Sequence, residues 1–66
     1  MDDKMRRALD AYDTGRSFGM GAVPALGGAA ALLARLTGST LGLAKDRIRV
    51  QLYQRATADV PDYLRA

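Results

Sequence analysis

Sixty-six residues and 7.1 kDa allow one small domain at most, and a chain this short rarely buries enough apolar surface to fold without staples. It has no Cys and no His, and its seven acidic residues are all Asp. That excludes disulfides, thiolate metal sites, imidazole bases and Ser–His devices, and a net charge of +3 is too mild to dictate a polyanionic partner.

The first predicted element is a short amphipathic helix over residues 2–14. Asp2 or Asp3 can cap it, Met5, Leu9 and Tyr12 form an apolar stripe at steps of four and three, and Gly15 is its expected stop. Oppositely charged residues four apart (Asp2 and Arg6, Asp3 and Arg7, Arg6 and Asp10) occupy the other face. The four Asp of this segment do not suit the positively charged start of a secretory signal.

The second element is a Gly/Ala-rich apolar segment over residues 17–37, uncharged over 17–34. Two conformations compete. A helix over 17–34 would be about 27 Å long, close to the ~30 Å of a bilayer core, with Arg35 snorkelling at the membrane edge or paired. A helix starting with Pro24 at its first position and stopping at Gly38 would instead be one arm of a buried hairpin. Extending it through to Ala44 would put Arg35 near the centre of a span, which is costly. Ala25 with Ala29, Gly27 with Ala31 and Gly38 with Gly42 fall in small-xxx-small spacings, and these residues together with Gly28 are the expected helix-packing interface.

The third element is a longer amphipathic helix over residues 40–59, capped by Ser39 or Thr40 and ended by Val60 and Pro61. Leu41, Ala44, Ile48, Leu52 and Ala56 make its docking stripe. Leu43, Val50, Tyr53 and Val60 make a second, weaker one, with Lys45, Arg47 and Arg49 between the two. Two apolar stripes imply neighbours on two sides. Residues 60–66 are a short tail in which Tyr63 and Leu64 could dock.

Motifs for chemistry are missing. Gly19 and Gly21 open like a dinucleotide fingerprint, but the third glycine is absent and no strand precedes them; there is no phosphate-binding loop. A helix-turn-helix drawn across Gly38 would have an apolar first helix and scattered basic residues, so nucleic acid is not an expected partner. An acidic amphipathic start, a Gly/Ala-rich apolar middle and a basic C-terminal helix resemble the layout of filamentous phage coat proteins. The resemblance is of layout alone. Pro24, Arg35 and the 22 residues after Ala44 depart from it, and no family is assigned.

The expectation is thus an all-α chain without an autonomous globular core, and a non-catalytic structural or accessory subunit without metal or cofactor. Its expected partners are other protein subunits in a homo- or hetero-oligomer, and lipid. The expected location is a membrane complex or a virion. The alternatives are a soluble, cytoplasmic helical protein-binding module and a small nucleic-acid-binding protein.

Overall fold

The computed structural model describes residues 2–58 together with Pro61 and Leu64. It is all-α: α1 (Asp3–Ser17), α2 (Ala22–Thr37) and α3 (Leu41–Ala56), with no strand among the described residues. Asp2 caps α1 by accepting a hydrogen bond from the Lys4 N–H. The first turn is also laced by charge, since Arg6 donates to Asp3 at 2.6 Å and Arg7 lies 3.3 Å from the same carboxylate. The Arg6 hydrogen bond, then the charges of Arg6 and Arg7, hold the Asp3 carboxyl below its ordinary range.

α1 does not end at Thr14 but continues through Gly15 to Ser17. The reason is that Gly19, not Gly15, takes the left-handed conformation, at φ 92°. Around it the Gly19 N–H bonds to the Arg16 carbonyl and the Met20 N–H to the Gly15 carbonyl, which closes the helix end. Gly15 is buried inside the helix and serves close packing. A Cβ there would stand 2.9 Å from Met20 Sδ and 3.6 Å from Ala25 Cβ.

The apolar run over 17–34 is not one helix. It breaks between Phe18 and Gly21, and α2 then continues past Ala34 to include Arg35. Pro24 is the third helical residue rather than the first. This is tolerated because N–H groups in a first turn have no intrahelical acceptor, and the first helical bond here is donated by Ala25 to Gly21. α2 ends where Gly38 turns left-handed at φ 68° and the Ser39 N–H closes onto the Ala34 carbonyl. Sixteen residues make about 24 Å of helix. No described helix is long and apolar enough to cross a membrane. α2 and α3 are so only as a pair, and they are bent by 115° at the break over residues 38–40.

Thr40 caps α3, accepting from the Leu43 N–H at 3.2 Å. α3 stops at Ala56, ahead of Val60 and Pro61, where the Thr57 N–H and hydroxyl both donate to the Tyr53 carbonyl. Val60 and Tyr63 lie outside the described residues, and Leu64 is exposed.

α2 is the central element. It packs extensively on α1 and on α3, while α1 and α3 barely touch. The core consists of Ala8, Leu9, Ala29, Ala30, Leu33, Ala44 and Ile48, bordered by Met5, Tyr12, Leu26, Ala34 and Leu52. Four of the seven buried members are Ala, so the helices approach closely and gain little from each contact. Leu33 and Ile48 are the largest fully buried side chains.

Candidate interaction surfaces

The expected packing residues separate into two groups. Ala25 and Ala29 are buried within the chain, on the side of α2 that meets α1 at Gly15. Gly28, Ala31, Gly38 and Gly42 are exposed and Gly27 is half-buried. Gly38 and Gly42 cannot share a helix face, because the break between α2 and α3 separates them. At Gly27, Gly28 and Gly42 an added Cβ would meet nothing within 4 Å among the described residues. Pro24, Gly28, Ala31 and Arg35 recur at steps of four and three, all exposed, so the outward face of α2 is a smooth strip that ends in a cation. Arg35 forms no ion pair among the described residues.

The docking stripe of α3 is largely consumed inside the chain. Ala44 and Ile48 are buried against α2 and Leu52 is half-buried, whereas Leu41 and Ala56, at its two ends, are exposed. The second stripe is the free one: Leu43, Val50 and Tyr53 are 45%, 52% and 63% exposed.

Sequence reasoning missed a third feature. Because α3 leaves α2 at a steep angle, the N-terminal end of α2 stays uncovered on that side. An open groove of about 240 Å³ results, lined by Tyr12, Ala22, Val23, Leu26, Arg49 and Leu52. Val23 and Phe18, near the α1–α2 turn, are 82% and 84% exposed. Only the crossing of three helices creates this groove, and no local pattern announces it. Among the described residues no cluster of His, Cys, Asp or Glu could hold a metal ion. Comparison with protein-family models, with curated proteins and with solved structures finds no match to this chain.

Proposed function

We propose that this chain is a non-catalytic helical subunit of a larger assembly, docked on a neighbouring protein helix through the outward face of α2. One observation carries the reading. Gly27 and Gly28 each cost a helix interior about 1 kcal/mol relative to Ala, yet the fold needs neither of them. Both are helical, neither has positive φ, and a Cβ at either would meet nothing within 4 Å among the described residues. In a chain with twelve Ala, the reason for Gly lies outside the chain, in a helix that approaches more closely than a Cβ allows. The absence of His, Cys and Glu supports a role without catalysis.

The test is to express tagged chain in its native source and size the particle that carries it. Gly28→Leu, at an exposed position where an added Cβ meets nothing within 4 Å among the described residues, is expected to release the chain from that particle with helicity retained. A variant that assembles like the parent overturns the reading.

A membrane-associated subunit is the second reading. It is favoured by the uncharged stretch over residues 17–34, which contains the exposed Phe18 and Val23. It requires the chain to sediment with membranes at high salt and to be released only by detergent.

A further inference from the structure

We propose that α3 pairs, antiparallel and about a two-fold axis, with the α3 of a second copy of this chain. The contact uses a different face from the outward strip of α2. At ~100° per residue, Asp46, Val50, Leu43 and Tyr53 lie about 140–220° from the buried Ile48. They therefore form a strip directly opposite the core, about 15 Å long at the helical rise. Solitary exposed apolar residues are ordinary on a soluble surface, but here three align on one helix face and have no cover among the described residues.

The charges on that face select the occupant. Asp46 is the only carboxylate on α3, which carries four cations. One of the four, Arg55, is engaged by Asp13. Asp46 lies within the strip, with Arg49 on its near flank 3.3 Å away and Arg47 on the far flank. A phosphate-bearing surface would meet this carboxylate head-on, whereas a partner that suits the strip must bring a cation to Asp46 and apolar groups beside it. α3 itself meets that description. In an antiparallel pair like flanks meet, and Asp46 and Arg49 share a flank near the middle of the helix. Each Asp46 then stands within a turn of the second copy's Arg49, and each Leu43 opposite the second copy's Tyr53. The contact is isologous, so every favourable pair occurs twice, and the two helix dipoles oppose. One helix face covers less than the ~800 Å² per partner of a standard interface, so the dimer is weak and depends on concentration.

The chain has no Cys, which permits a test of both partner and direction. Chains carrying Leu43→Cys and chains carrying Tyr53→Cys are mixed in equal amounts at high concentration and oxidised. The mixed disulfide, joining position 43 of one chain to position 53 of the other, is expected well above the half share that random pairing produces. Either variant alone should cross-link poorly. Random or homotypic cross-linking overturns the proposal. In sedimentation equilibrium the 7.1 kDa chain should approach twice its mass as concentration rises. Asp46→Arg and Arg49→Asp should each weaken the dimer about fivefold, and the double exchange should restore it. If the exchange does not rescue, or if Asp46→Arg instead strengthens retention on anionic vesicles with no dimer formed, the occupant is not a second copy. Gly28→Leu should leave this dimer intact.

Discussion

Arg55, at the end of α3, donates to Asp13, near the end of α1, at 2.8 Å across 42 residues of sequence. This ion pair joins two helices, whereas the others among the described residues link side chains three or four apart within one helix. α1 and α3 share little else, so this contact helps to set the angle at which α3 crosses and the groove opens. Both side chains are about half exposed, at 48% and 51%. A double-mutant cycle with Asp13→Asn and Arg55→Gln should therefore give a coupling of only about 0.2–1 kcal/mol, shrinking as salt is raised. A coupling that is zero at low salt would remove the contact from the account of helix placement.

The glycines divide by environment. Gly27→Ala and Gly28→Ala should each raise the stability of the isolated chain by about 0.5–1 kcal/mol, since the new methyl meets nothing and helix propensity improves. Gly15→Ala should gain less, because Met20 Sδ has to move aside, and Gly15→Leu should destabilise by driving into Ala25. Thermal melts followed by circular dichroism check the order; an equal gain at all three sites would contradict the close packing of Gly15.

Stability should be marginal and concentrated in few side chains. Ile48→Ala removes one of the two largest fully buried side chains and should cost about 2–5 kcal/mol. A core this small rarely supplies more than about 3–5 kcal/mol in total, so much of the chain should then be unfolded in dilute buffer. Tyr53→Ala, in the exposed stripe, should stay within about 0.5 kcal/mol at concentrations where the chain is monomeric. The parent itself should melt at a temperature that rises with concentration or with its partner present. A sharp, concentration-independent transition at high temperature would refute dependence on association.

Arg35 sits in the last turn of α2, where its charge complements the helix dipole. Arg35→Leu should cost the isolated chain no more than about 1 kcal/mol, because the side chain is exposed and forms no ion pair among the described residues. It should nonetheless change recovery of the chain in its native assembly, since it alters the end of the smooth strip on α2. If recovery is unchanged, Arg35 is a solvated charge without a role in docking.

Three helical segments and their polar caps were legible in the sequence because each depends on local chemistry, and a stop at Gly38 was one of the conformations the sequence left open. Asp2 and Thr40 accept from N–H groups two and three residues on, and a left-handed residue after Thr37 favours Gly. The chain closes α1 with a different glycine from the one that spacing suggested, because what singles out Gly15 is a neighbour, Ala25, ten residues further on. Tertiary structure also decided how the two apolar stripes of α3 are used. Both are compatible with a helix, and only the placement of α2 buries Ala44 and Ile48 while leaving Leu43, Val50 and Tyr53 in solvent. The same holds for α2. Composition alone makes Ala25, Gly27, Gly28 and Ala29 equivalent small residues, but packing buries Ala25 and Ala29, leaves Gly27 half-buried and turns Gly28 outward. Periodicity specifies which residues share a face, whereas which face is covered depends on contacts between segments distant in sequence.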